Sequence, residues 1–460
     1  MKVLLTGATG LVGREIGKFL AFNGHEIFVI SRDANKAKLD CPFPCQIIVG
    51  SLDKDLVTDP RLKEIEGVIH LAGESVAEAR WSAAKKKKIH DSRALGTKNL
   101  ILSLKNAALK VFVSTSASGY YGDRGTEVLD ETAQPGDDFL AKVCVDWEAP
   151  VLEAKSQFSK CRFVIFRVGM VISPFGGAML KMISPFRRGV GGAVGSGKQI
   201  ISWIHISDLA NAYVQAVENA EYSGIFNAVA PQPVTNLEFS KILAKSLGSS
   251  LAVAIPTFAI KAMFGEMSHV LLSSQNLRNK KLKEVNFKYL YPSVSEALAH
   301  VGSYYQNGDE IYRAEQYLPA SRKNVFPFFS QAKNLEELTP PLLQFKVLKM
   351  STSEIQSGTL IDYRLKIHGV PVSWRTEILD WQPVSKFTDT QQKGPYSKWH
   401  HTHEFFDMGS GTLMTDLVRY KLPLGIAGWA VGGAFVAKDV KQIFAYRKKV
   451  CAAFDFKQRS

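Results

Sequence analysis

The chain has 460 residues, 46% of them apolar and 22% charged, with a formal net charge of +14. That length gives room for two to four average domains, each able to bury a core of its own. Ordinary globular composition excludes a fibrous or disordered protein, and the positive charge suits anionic ligands without calling for nucleic acid, for which no binding module appears.

The chain opens on Lys2-Val3-Leu4-Leu5-Thr6, a short apolar run that reads as a buried parallel strand. Gly7-Ala8-Thr9-Gly10-Leu11-Val12-Gly13 follows, with glycines spaced G-x-x-G-x-x-G, and then an amphipathic stretch that stops after Phe22 at Asn23-Gly24. Gly7 allows a tight turn, Gly10 lets backbone approach a pyrophosphate, and Gly13 lets the helix pack close to its strand. The helix N-terminus adds free N–H groups and a positive dipole end. Thr6, Gly7, Thr9, Gly10, Leu11, Val12 and Gly13 are therefore the predicted cradle of a dinucleotide.

Strand-like runs then alternate with helical periodicity: strands at 3–6, 26–31, 46–49, 67–72, 111–116, 163–168 and 225–230, helices at 12–22, 83–104, 139–154 and 207–219. This alternation predicts a parallel sheet with helices on both faces and ligand at the carboxyl ends of the strands. The second strand ends in Ser31-Arg32, where a free ribose 2′-hydroxyl would meet an Asp or Glu. Ser31 can hydrogen-bond and Arg32 can grip a 2′-phosphate bidentately, which favours NADP over NAD. Leu71, Ala72 and Gly73 end the fourth strand with residues that let ribose and phosphate lie against backbone. The lysine run 85–88 reads as a solvated helix face.

The segments TGATGLVG, HLAGES, SASGYYG and GKQIISWIHISDLA, together with Ala79-Arg80-Trp81 through Ser92-Arg93, resemble the extended short-chain dehydrogenase/reductases. More closely they resemble the branch of epimerase family proteins, over about residues 1–300. The resemblance implies an α/β Rossmann-like parallel sheet that binds NADP (NADPH), with a small substrate lobe. It also implies that Arg167, at the end of a strand, approaches the nicotinamide.

Members of this superfamily use a Tyr whose phenol exchanges a proton with the substrate, a Lys one turn later, and a Ser or Thr on the preceding strand. Glu148 fits the next position on that helix face, yet Leu140 and Cys144 stand where Tyr and Lys belong. Lys142 lies roughly 160–200° around the helix from that face. Ser116 and Tyr121 are the catalytic candidates that remain, among Ser114, Ser118, Tyr120 and the Asp137-Asp138 turn; Tyr121 reads equally as a packing residue. Gly195-Ser196-Gly197-Lys198 does not align with a phosphate loop, so an NTPase is rejected. His205 reads as structural, with Ser207 beside it as a helix N-cap.

Near Gly302–Gly308 the pattern changes to strand after strand: 311–318, 345–350, 359–367, 372–381, 386–391, 399–407 and 412–422. A final amphipathic helix runs over 435–454. An antiparallel sheet closed by one long helix is an α+β helix-grip arrangement, and the segment resembles the START-like superfamily. Two domains are expected, 1–305 and 306–460. The second implies an apolar ligand in a cavity lined by Trp374, Trp381, Trp399, Phe405 and Tyr420. His401 and His403 share a strand face, but with no third ligand placed beside them they read as polar or structural residues, and no metal site is expected.

Five scattered cysteines and a strand beginning at Lys2 point to a reduced, cytoplasmic protein with no signal peptide. The uncharged window 422–437 is too short for a transmembrane segment. The function expected is an epimerase/dehydratase-like oxidoreductase acting on a small-molecule carbonyl or alcohol, with a homodimer as an allowed assembly. The alternative is a catalytically silent NADP(H)-binding sensor or lipid-binding protein.

Overall fold

The computed structural model describes residues 1–251, 253–305 and 308–456. Two compact units divide the chain between residues 306 and 307, with residues 38–44 grouped with the second. The boundary expected after residue 305 thus falls on residues outside those described.

In the first unit the strands β1 Lys2–Thr6, β2 Glu26–Ser31, β3 Gln46–Val49, β4 Gly67–His70, β5 Val111–Ala117, β6 Arg162–Val168 and β7 Gly224–Ala228 form one sheet. Their order is β7-β6-β5-β4-β1-β2-β3, and every neighbouring pair is parallel. The strands read as continuous apolar runs because both faces are covered: Val3, Leu4, Leu5, Val111 and Val113 have no exposed surface. On one face Leu4, Phe28, Ile48, Val68, Leu100, Phe112 and Ile165 share a core. The helix α1, Leu11–Phe22, follows β1 and ends where predicted, with Asn23 as C-cap and Gly24 at φ 76°. The strand order reverses between β1 and β4, which opens a crevice at their carboxyl ends.

The single helix expected over 83–104 is two, Ala83–Asp91 and Ala94–Ser103. Side chains at the junction compete for the backbone. Ser92 Oγ donates to Ile89 O at 3.1 Å and accepts from Glu74 N at 2.9 Å, while Arg93 Nη1 donates to Glu74 O at 2.9 Å. The lysine run is less bare than its sequence suggests, since Lys85, Lys86 and Lys87 pair with Glu74, Glu266 and Asp91. The helix Ile206–Glu218 starts one residue early. His205, not Ser207, caps it, with Nδ1 accepting from Ser207 N at 3.2 Å.

The second unit is a seven-stranded antiparallel sheet of β8 Glu310–Leu318, β9 Lys346–Met350, β10 Leu360–Ile367, β11 Val370–Gln382, β12 Lys386–Lys393, β13 Lys398–Met408 and β14 Gly411–Lys421. Its order is β8-β14-β13-β12-β11-β10-β9. In β10 Ile361, Tyr363 and Leu365 are buried while Arg364 and Lys366 face water, the alternation its sequence predicts. The last helix, Gly425–Ala453, begins ten residues before its predicted start and takes in most of the uncharged window. It buries Val440, Phe444, Arg447 and Cys451 along one stripe. A helix at Arg322–Phe329, with Pro327 inside it, was not expected; Val325, Phe326, Phe328 and Phe329 carry it into the core. Among the described residues no helix is long and apolar enough to cross a membrane.

The aromatic residues expected to line a cavity pack against neighbouring aromatic rings. Phe405 meets Phe326, Phe329 and Phe387, Trp374 meets Trp399 edge-on at 5.5 Å, and Trp399 lies 6.1 Å from Tyr420. A cleft bordered by Met414, Asp416, Phe444, Arg447 and Cys451 has room for about one water.

Candidate nucleotide site and the network behind it

The first loop is built so that only glycine fits at two of its positions. Gly7 has φ 72°, and a Cβ there would stand 2.9 Å from Leu71 C. A Cβ on Gly13 would stand 2.2 Å from Gly7 O and 2.8 Å from Ala8 Cα. Gly10 N donates to Gly7 O at 3.0 Å, closing the turn. Gly10 is the N-cap of α1 with no side-chain capping bond, and the first turn holds no acidic residue. Free N–H groups and the positive dipole end therefore face the crevice between β1 and β4. Thr9, Leu11 and Val12 lie on the same turn, and Gly176 packs against Leu11, where a Cβ would come within 2.6 Å of its side chain.

A chain of hydrogen bonds that the sequence does not announce fixes β1 to β4. Thr6 Oγ1 lies 2.7 Å from His70 Nδ1 and accepts from Leu71 N at 3.2 Å and Ala72 N at 3.3 Å. His70 Nε2 lies 2.9 Å from Thr97 Oγ1, which donates to Arg93 O at 2.6 Å. The donors balance only if Thr6 gives its hydroxyl proton to Nδ1 and His70 carries its own on Nε2. Burial, with Arg93 nearby, pushes His70 down to about 3, so it is neutral. Leu71 and Ala72 are thus held by Thr6, and Gly73 lies under the Arg93 guanidinium, with a Cβ there 3.1 Å from Cζ. Ser31 Oγ donates to Asp33 O at 3.0 Å, and Arg32 beside it is exposed.

Burial likewise pushes His205 to about 3, with His300 adding to the effect. An unfolded histidine titrates near 6.5, so below that pH the unfolded chain takes up protons that His70 and His205 refuse in the fold. The contribution of these two histidines is thus complete above about pH 6.5 and is lost as pH drops toward 3, by roughly 1.4 kcal/mol per pH unit for each histidine. Urea midpoints measured from pH 7 to pH 4 should decline, and His205→Gln should flatten the decline.

At the far end of the sheet Arg167 and Tyr121 meet in one buried network. Arg167, read as approaching the nicotinamide, is committed to protein partners. Its side chain is buried, with Nε and Nη2 on Glu148 Oε1 and Oε2 at 2.9 and 2.8 Å and Nη1 on Tyr121 OH at 3.0 Å. Its guanidinium also lies 3.3 Å from the centre of the Tyr120 ring. Tyr121 has no exposed surface and donates its hydroxyl to Asn227 Oδ1 at 2.7 Å. Burial outweighs the Arg167 cation and pushes its phenol up to about 12. Tyr121 is here a buried hydrogen-bonding residue and not a phenol facing a ligand; Tyr120 is the half-buried member of the pair.

Ser116, one residue from the end of β5, is buried, and its Oγ has no oxygen or nitrogen partner, with the Cys144 thiol near enough to act on it. Beside it Cys144, in the helix α2 Phe139–Glu153, points its thiol at Ala117 O at 3.8 Å. Burial and Glu148 push that thiol up to about 11, so it is no nucleophile at neutral pH. A cation missing from the expected helix face stands on another element: Arg93 acts on Cys144 electrostatically. The Ser92-Arg93 pair was legible as a motif, but its placement beside Gly73 and Cys144 was not.

Fold and loop together define a Rossmann-type dinucleotide-binding unit, with its cradle at the β1–β4 reversal. Residues 3–228 match the NAD dependent epimerase/dehydratase family, and residues 255–301 match a domain of unknown function, DUF1731. An epimerase family protein SDR39U1 homolog of Arabidopsis thaliana is 36% identical over 306 residues, covering 65% of this chain and 86% of that one. The Homo sapiens SDR39U1 is 32% identical over 307 residues, covering 65% and 99%. The crystal structure of the human protein with NADPH superposes with a TM-score of 0.58 at 30% identity, covering 66% of this chain and 99% of that one. A nucleoside-diphosphate sugar epimerase of Corynebacterium glutamicum gives 0.53 at 32% identity, over 66% and 58%. The chain belongs to the NAD(P)-dependent epimerase/dehydratase family, among the epimerase family proteins.

Proposed function

We propose that the first unit is an NADP(H)-dependent oxidoreductase of epimerase/dehydratase type, acting on a carbonyl or alcohol without the usual Tyr and Lys. The buried hydroxyl of Ser116, with no partner stronger than the Cys144 thiol, carries this reading. A buried hydroxyl so weakly satisfied is costly and calls for a reason, and this one stands on the strand end where the superfamily polarises its substrate. Ser116 would hydrogen-bond the reacting oxygen, Tyr120 would supply a phenol from the same strand end, and Arg93 the positive charge. Bound NADPH would supply or take the hydride. A second reading, a protein that holds NADP(H) without turning it over, draws on Leu140, Cys144 and the locked Tyr121. Hydride exchange between NADPH and a panel of ketones and aldehydes separates the two. Turnover lost in Ser116→Ala or Tyr120→Phe, with NADPH binding kept, supports the enzyme; binding without exchange supports the silent holder.

The phosphorylated cofactor is favoured by Arg32, which stands exposed at the end of β2 with no acidic residue in its place. Arg32→Ala should weaken NADPH about 10–100-fold, the worth of a charge-assisted hydrogen bond, and leave NADH nearly unchanged. Equal losses for both, measured by fluorescence titration, would overturn the preference.

The second unit fits a START-like helix-grip domain, and its element order supports this: one strand, short helices, six antiparallel strands and a long final helix. It would bind a small apolar ligand after the aromatic clusters open. Mass spectrometry of small molecules retained by the purified chain tests this.

A further inference from the structure

Among the described residues, one group of side chains placed to hold a metal ion lies in the second unit, and with its neighbours it spans three adjacent strands. Asp389 of β12 pairs with His401 of β13, and His403 of β13 pairs with Asp416 of β14. Asp389 is the third ligand that sequence spacing could not place beside the two histidines. His401, His403 and Asp416 are buried under the last helix, from which Phe444 meets the His401 ring and Arg447 Nη1 lies 3.4 Å from Asp416 Oδ1.

The two carboxylates make different contacts. Asp416 Oδ1 lies 2.9 Å from His401 Nε2 and 2.9 Å from His403 Nδ1, the length of a charge-assisted hydrogen bond. Asp389 Oδ2 lies farther, 3.4 Å from His401 Nδ1 and 3.2 Å from His403 Nε2. Ligands about 2.0–2.1 Å from a tetrahedral zinc stand roughly 3.3–3.4 Å from one another, which is the wider spacing. Asp389 Oδ2 and one ring nitrogen from each histidine all lie within 4.8 Å.

The contacts fit one arrangement of protons. When each histidine gives its N–H to Asp416, two nitrogen lone pairs and a carboxylate converge on one point, which is repulsive unless a cation sits there. Asp416 then does what carboxylates do behind metal-bound histidines, fixing tautomer and ring orientation.

We propose that Asp389, His401 and His403 bind one divalent transition-metal ion of the zinc class, with Asp416 and Arg447 as its supporting shell. Nitrogen and oxygen donors in a three-ligand set suit zinc with a fourth position left for water. Asp389 keeps 18% of its side chain exposed, which gives the ion an entrance. In the metal-free protein His403 can instead carry its proton on Nε2, toward Asp389, with Arg447 Nη2 donating to Nδ1 at 3.2 Å. Metal binding moves that proton to Nδ1, toward Asp416, and Arg447 Nη2 gives up its bond there.

The test uses the tag-free full-length chain, stripped with a chelator and titrated with Zn²⁺ by calorimetry and with Co²⁺ by visible absorption. One equivalent of Zn²⁺, a raised unfolding midpoint and the intense visible bands of tetrahedral Co²⁺ are expected. His403→Gln should abolish stoichiometric binding, and Asp416→Asn should weaken it about 10–100-fold. Binding well below one equivalent in the stripped wild-type chain overturns the proposal whether or not the variants fold, and leaves a hydrogen-bonded ion cluster. So does a folded His403→Gln chain, by circular dichroism, that still takes up one Zn²⁺ with undiminished affinity.

Discussion

Gly13→Ala should cost NADPH binding at least about 100-fold, close to 2.7 kcal/mol, and destabilise the first unit as well. The added Cβ would sit 2.2 Å from Gly7 O, which is backbone and has no rotamer to yield. Either α1 slides away from the loop or the loop opens, and both move the free N–H groups off the position where a diphosphate would lie. Gly24→Ala is the control. Gly24 also has a positive φ, 76°, but nothing lies within 4 Å of its added Cβ. It should cost about 1–2 kcal/mol of stability through backbone strain alone and leave affinity unchanged. Isothermal titration of both variants with NADPH decides the matter. A Gly13→Ala chain that binds as tightly as the parent would remove the dinucleotide from this crevice.

The difference between those two glycines shows what sequence could and could not tell. The G-x-x-G-x-x-G spacing, the strand before it and the Asn23-Gly24 stop are local signals, and the parallel sheet followed from apolar runs at regular intervals. The antiparallel sheet was legible in the same way, from alternation such as Ile361, Tyr363 and Leu365 against Arg364 and Lys366. Where side chains reach across the chain, local pattern is silent. Thr6 and His70 are 64 residues apart, Tyr121 and Asn227 are 106 apart, and His401 and Asp389 meet only because β12 and β13 pair in one register. The helix over 83–104 broke for the same reason: Ser92 and Arg93 bond to Glu74, which no helical periodicity contains. Arg167 was read toward the nicotinamide from family resemblance and Tyr121 toward either a ligand or packing, and the carboxyl end of a sheet also carries groups that tie neighbouring strands together.

That tie carries the other large expected effect. Glu148→Gln should destabilise the first unit by about 3–5 kcal/mol, because it leaves the Arg167 guanidinium buried without its counter-charge. Arg167 cannot escape by losing its proton. Burial disfavours the cation, yet Glu148 and Tyr121 outweigh it and hold the pKa above that of a free arginine. In a unit of this size the unfolding midpoint should drop by roughly 6–15 °C. Tyr121→Phe removes the acceptor of Arg167 Nη1 and the donor to Asn227, and should cost less, about 1–3 kcal/mol. Because both changes act on one guanidinium, the double variant should depart from additivity by about 0.5–3 kcal/mol. The same series separates a structural Arg167 from one that touches cofactor. A network that only holds the ends of β5, β6 and β7 predicts unchanged NADPH affinity in Glu148→Gln well below its midpoint, whereas an arginine shared with the nicotinamide half of the cofactor predicts that affinity and stability fall together.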